Sequence, residues 1–197
     1  PVYCYTDYEA AELFLNGRSL GVRRKRTTTG TPSGTFNGEA PAMDNIFGRY
    51  RLIWEDVRYE PGVLKVVALD EDGTPMDETE VRTAGPPSRI ELLSDRLAIS
   101  ADGEDLAFIM VRILDENGIL CPSADERMRF EVSEGGEIVA TGNGDPTSMT
   151  PFTSDVREAF HGQAMVIVRA RRGYAGEIRV RATAERLTTG ERVLSIR

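Results

Sequence analysis

Histidine occurs once in this chain, at His161, tryptophan once, at Trp54, and cysteine twice, at Cys4 and Cys121. A single histidine excludes a multi-histidine metal centre and leaves one position around which a Ser-His-Asp triad could be built. No Gly-x-Ser-x-Gly elbow accompanies it, and its place between Phe160 and Gly162 reads as a loop histidine without a catalytic role. Two thiols so far apart make no disulfide framework and match no zinc spacing, and their expected placement in different domains argues against a bridge. No stretch of about 18 apolar residues encodes a membrane-spanning helix. No signal-like apolar run opens the chain, which starts at Pro1 and has its first methionine at Met43. It is expected to be an excised or processed piece of a longer protein. Basic residues are the minority, with 24 Lys and Arg against 32 Asp and Glu, a formal charge of −8. That balance argues against nucleic acid or an anionic membrane as partner. The one basic run, Arg23-Arg24-Lys25-Arg26, has no interleaved aromatics and reads as a solvated patch. Gly142-Asn143-Gly144-Asp145 lacks the Gly-Lys-Ser/Thr ending of a phosphate-binding loop.

What the chain does have is alternation. Arg127 to Val132 reads charged, apolar, charged, apolar, and Glu177 to Ala184 does the same. A half-buried strand requires that period of two, and a helix would scramble it. Further strands are expected at Val2 to Thr6, Ala11 to Leu15, Ser19 to Val22, Tyr50 to Trp54, Val63 to Leu69 and Ile90 to Leu93. Others are expected at Leu106 to Leu114, Ile138 to Thr141 and Met165 to Ala170. Asn16-Gly17, Asp72-Gly73, Asp102-Gly103, Asn117-Gly118 and Asn143-Gly144 supply positive φ between strands. The stretch Glu12 to Gly21 is a hairpin, whose Asn-Gly turn sets a register in which a one-residue slip would expose Leu13 and Leu15. Asp155 to Phe160 is expected to form a short helical turn.

The segment Thr83 to Ser88, with Gly85-Pro86-Pro87 at its centre, reads as a semi-rigid joint. The fold class is therefore all-β: two tandem immunoglobulin-like β-sandwich domains, residues 1–84 and 85–197. Arg26 to Asn45, poor in aliphatics, is expected to be a long surface loop. The second domain should hold about nine strand-like segments around a core of Ile109, Val111, Ile113, Phe130, Val132, Val166, Val168, Ile178, Val180 and Ala182.

Carboxylates are abundant, but the clusters Asp70 to Asp72, Asp102 to Asp105 and Asp115 to Asn117 fall at strand ends, where turn chemistry accounts for them. None follows the calcium-loop pattern with a glutamate at its twelfth position, although calcium would suit their oxygens. No pair is recognisable as the two carboxylates of a glycosidase. The most unusual loop is Thr141 to Ser148. Its glycines allow close approach of the backbone, and Asn143 and Asp145 carry groups that commonly hydrogen-bond sugar hydroxyls, although a structural turn with Asx-type caps is the favoured reading. Aromatic rings that could stack on a sugar are Trp54, Tyr59 and Phe152; for Trp54 burial in the first core is the competing reading. The candidate glycan contacts are thus Asn143, Asp145 and Phe152, with no catalytic residue, metal ligand or cofactor site.

The phrases ELFLNGRSLG, YRLIWEDVRYEPGVLKVVALDEDG, TAGPPSRIELLSDRLAISADGEDLAFIMVRILDENG, GNGDPTSMTPF and AFHGQAMVIVRA resemble, in this order, the C-terminal region of bacterial β-galactosidases of glycoside hydrolase family 2. The resemblance runs from Val2 to about Leu187; Cys121-Pro122 departs from it, where a small or apolar residue is usual. It implies an accessory sandwich followed by a terminal immunoglobulin-like domain, with catalysis on a (β/α)8 barrel elsewhere in the parent chain. No residue here matches the family's catalytic motifs. The implied partner is that barrel, with glycan as a further candidate and oligomerisation through the parent, and the implied location is the periplasm or the cell exterior. The alternatives are a carbohydrate-binding module and an architectural pair from a surface protein, and the parent could equally be a β-glucuronidase.

Overall fold

The computed structural model describes residues 1–25 and 50–197, and these form two compact units, Pro1–Thr83 and Ala84–Arg197. The expected loop from Arg26 to Asn45 lies outside the described residues, as does the last residue of the basic run. Arg23 and Arg24 of that run are exposed. All regular structure among the described residues is β.

In the first unit, β1 (Val2–Tyr5) pairs with β4 (Arg51–Trp54). A four-stranded antiparallel sheet runs β3 (Arg18–Arg24), β2 (Ala10–Leu15), β5 (Val63–Leu69), β6 (Pro75–Arg82). Alternation decides which side chains meet between the sheets. Ala11, Leu13, Leu52 and Trp54 are buried together, with Val2, Cys4, Leu20, Leu64 and Val66 packed against them. The indole of Trp54 donates to the Gly21 carbonyl at 2.9 Å, so its one polar atom is satisfied inside the core.

The hairpin between β2 and β3 turns through Asn16 and Gly17, both at positive φ (52° and 79°), as a two-residue type I′ turn requires. Asn16 also ties the turn to β5: its Nδ2 donates to the Pro61 carbonyl at 3.1 Å and its Oδ1 accepts from the Val63 amide at 2.8 Å. Further along, Leu20 and Gly21 together oppose Leu13, a bulge that Gly21 accommodates with φ 92°.

The second unit is a two-sheet sandwich of immunoglobulin-like type. One sheet has the order β11 (Gly136–Gly142), β13 (Gln163–Ala170), β9 (Leu106–Leu114), β7 (Arg89–Ser94). The other runs β12 (Val156–Glu158), β10 (Arg127–Val132), β14 (Gly176–Thr183), β15 (Gly190–Ile196), β8 (Ala98–Ile99). The expected core residues Ile109, Val111, Ile113, Phe130, Val166, Val168, Ile178, Val180 and Ala182 are all buried between the sheets, and Val132 packs against them half-buried. Cys4 and Cys121 are free thiols, one in each unit. Burial pushes the Cys121 thiol above its ordinary range, which disfavours its thiolate form.

One expectation fails. Asp155 to Phe160 makes no helical turn: Val156–Glu158 is strand β12, paired antiparallel with β10 through Arg127↔Glu158 and Arg129↔Val156. Pairing to an existing sheet edge outweighs a helical turn too short to satisfy its own backbone.

Asp115, at the end of β9, is buried. Its Oδ2 accepts from the Gly85 amide at 2.8 Å, and its Oδ1 from the amides of Ile119 at 2.8 Å and Asn117 at 2.9 Å. The Gly85 and Ile119 bonds hold the carboxyl below its ordinary range. A folded value below the unfolded one of about 3.9 means stability that is fully present above that pH and is lost as pH falls through the folded value. Urea titrations of wild type and Asp115→Asn between pH 6 and about 2 are expected to show a smaller acid-induced drop in the variant's midpoint. Parallel curves would remove Asp115 from this account.

Candidate functional site

The connection from β11 to β12 brings Asn143, Asp145 and Phe152 into one loop. Asn143 spends its amide locally: Nδ2 donates to the Glu158 carbonyl at 3.0 Å and Oδ1 accepts from the Asp145 amide at 3.1 Å. Asp145 accepts through Oδ1 from both the amide and the hydroxyl of Thr147, each at 2.8 Å. Those two bonds hold its carboxyl below the ordinary range. The hydrogen-bonding atoms that made these residues candidates thus serve mainly to cap turns.

Phe152 differs. Its backbone carbonyl accepts from Thr141 at 2.7 Å, while its ring is 73% exposed and stands beside Gly142. The other aromatic candidates lie in the first unit. Trp54 is core, and Tyr59 is exposed with its hydroxyl 3.4 Å from that of Thr83.

The residue that organises the loop is Arg157, which sequence reasoning passed over. It points inward from β12 and is 2% exposed. Its Nη2 donates to the carbonyls of Thr141 and Pro151, both at 2.8 Å, and its Nη1 to the Thr150 carbonyl at 2.9 Å and the Ser148 hydroxyl at 3.3 Å. Nε donates to the Thr141 hydroxyl at 3.3 Å. All five guanidinium donors are therefore used, every one on a neutral oxygen. The Phe152 ring covers the cation, with 5.9 Å from Cζ to the ring centroid. No local pattern in the sequence marks it, since an arginine in an alternating stretch reads as an exposed position.

His161 occupies a second type I′ turn. With Gly162 it has positive φ, and Phe160 and Gln163 exchange backbone hydrogen bonds across it. Its Nδ1 lies 3.2 Å from the Pro122 carbonyl. The acidic clusters cap turns: Asp102 Oδ1 accepts from the amides of Asp105 and Glu104, and Asp70 Oδ1 accepts from the Thr74 amide. Among the described residues no three His, Cys, Asp or Glu side chains gather as metal ligands. The loop thus exposes one aromatic ring, while the side chains of Asn143 and Asp145 are held by its turns.

By fold the chain is a pair of all-β sandwich units. It belongs to the glycoside hydrolase family 2 C-terminal domain 5 family, which residues 90–193 match, while residues 1–76 match DUF4982, a domain of unknown function. Over 187 residues it is 38% identical to β-galactosidase BoGH2A of Bacteroides ovatus, a match covering 94% of this chain and 19% of that enzyme. A putative β-glucuronidase of Formosa agariphila is 26% identical across 86% of the chain and 15% of its own length. The crystal structure of a glycosyl hydrolase family 2 member from Bacteroides cellulosilyticus superposes with a TM-score of 0.83 at 28% identity, covering 98% of this chain and 24% of that one. The chain thus corresponds to the C-terminal region of a family 2 protein and spans about a fifth of the β-galactosidase it matches.

Replacing Arg157 by Leu removes five donors from loop oxygens that water reaches poorly. The cost expected in denaturant unfolding of the second unit is roughly 2–4 kcal/mol, with faster proteolytic cleavage between Ser148 and Thr153. An unchanged unfolding curve and cleavage rate would show that the loop holds itself.

Proposed function

We propose that this chain is a non-catalytic scaffold at the C-terminal end of a β-galactosidase-like hydrolase. It would hold the catalytic barrel of the same polypeptide in position, outside the cytoplasm, with any oligomerisation running through the parent. The observation that carries this reading is the match to a β-galactosidase over 94% of this chain but 19% of that enzyme. The candidate loop supports it, since its polar side chains are committed to turns. The purified chain should release no nitrophenol from nitrophenyl β-galactoside, whereas the full-length parent should. Turnover by the chain itself, with contaminating enzyme excluded, would overturn the reading.

A second reading, glycan contact at Asn143, Asp145 and Phe152, is favoured by one observation, the 73% exposed Phe152 ring. Stacking on a sugar face would use it directly. Calorimetric titration with galactans should then give heat that Phe152→Ala abolishes. Flat traces with the unmodified chain would dismiss this reading.

A further inference from the structure

The two sheets of the second unit present opposite chemistry to the outside. On the five-stranded sheet, outward positions of β10, β14 and β15 carry Arg129, Arg179, Arg181 and Glu191, cross-linked by the pairs Arg129–Asp155 at 2.7 Å and Arg179–Glu191 at 2.9 Å. That face is made for water. On the four-stranded sheet, the outward positions of three adjoining strands are apolar: Leu93 from β7, Phe108 and Met110 from β9, Met165 and Ile167 from β13. The register sets Leu93 beside Met110 beside Met165, and Phe108 beside Ile167. The five side chains therefore form one patch, in which Leu93 is 43% and Phe108 39% exposed.

The borders of the patch narrow the choice of occupant. Its charged neighbours are already paired with each other, Arg112 with Glu91 at 3.2 Å and Arg169 with Glu137. A polar ligand such as a sugar would lose hydration over the middle of the patch and find no hydrogen bonds there. An apolar protein surface would lose nothing. The relatives supply the length for one: the matched stretch is 19% of the Bacteroides ovatus enzyme and 24% of the Bacteroides cellulosilyticus chain. A domain on the same polypeptide is held at millimolar effective concentration, so a patch too small to capture a free partner is enough to seat it.

We propose that the outward face of the β11-β13-β9-β7 sheet, centred on Phe108, Met110, Met165 and Ile167, is the seat of the hydrolase portion of the same polypeptide. This rests on the scaffold function proposed above and adds the surface that performs it. The methionines are built-in reporters, because their oxidation follows exposure. Hydroxyl-radical footprinting of this chain and of the full-length parent should show Met110 and Met165 oxidised about five-fold more slowly in the parent. Met76, 52% exposed on β6, and the fully buried Met128 serve as references in the two samples. Equal rates at Met110 and Met165 in both would overturn the assignment. So would protection already present in the isolated chain that grows with concentration alongside a dimer in analytical ultracentrifugation, which would give the face to a second copy. Nitrophenyl β-galactoside turnover by the same full-length sample reads the underlying function separately. Protection without turnover supports the seat and removes only the β-galactosidase reading of the parent, and turnover without protection keeps that reading and removes the seat.

Discussion

Backbone groups at the ends of a sandwich have no neighbouring strand to pair with, and in the second unit two buried charged side chains supply what is missing. Asp115, an acceptor only, gathers the amides of Gly85, Asn117 and Ile119. Arg157, a donor only, gathers the carbonyls of Thr141, Thr150 and Pro151. Neither has an oppositely charged partner in these bonds; each is stabilised by aligned backbone dipoles. The loops that leave the sheets are thereby fastened to them, and the sheets can act as a rigid body.

That rigidity is what the proposed scaffold function would need. In the first unit the same end is served by Asn16, whose side chain bonds the turn of one hairpin to the strand beside it. Gly62 leaves the room, since a Cβ there would stand 1.9 Å from Asn16 Oδ1. The features that looked at first like binding chemistry, Asn-Gly turns and acidic strand ends, are in large part fastenings. The surface that remains unexplained by folding is apolar, lies on a sheet face and has its bordering charges already paired.

The membership in glycoside hydrolase family 2, stated from several long phrases of sequence, agrees with the family match and with the superposition on a solved member. The strands expected at Val63 to Leu69, Leu106 to Leu114 and Arg127 to Val132 were found with those bounds. Others were missed for a physical reason in each case. Pro75–Arg82 is exposed at every position, so neither face of β6 carries a burial signal. β12 and β15 each place an arginine, Arg157 and Arg192, where an apolar residue would mark the inward face.

Side-chain periodicity and turn dipeptides, which are local properties, determined from the sequence alone that the chain is all-β, where its central strands run and which aliphatic residues form the second core. Tertiary structure decided which polar residues are buried and what they hold. Asp115 meets Gly85 30 residues away, and Arg157 meets Thr141 16 residues away. Desolvation of a charge depends on everything packed around it, and no local pattern of residues records that.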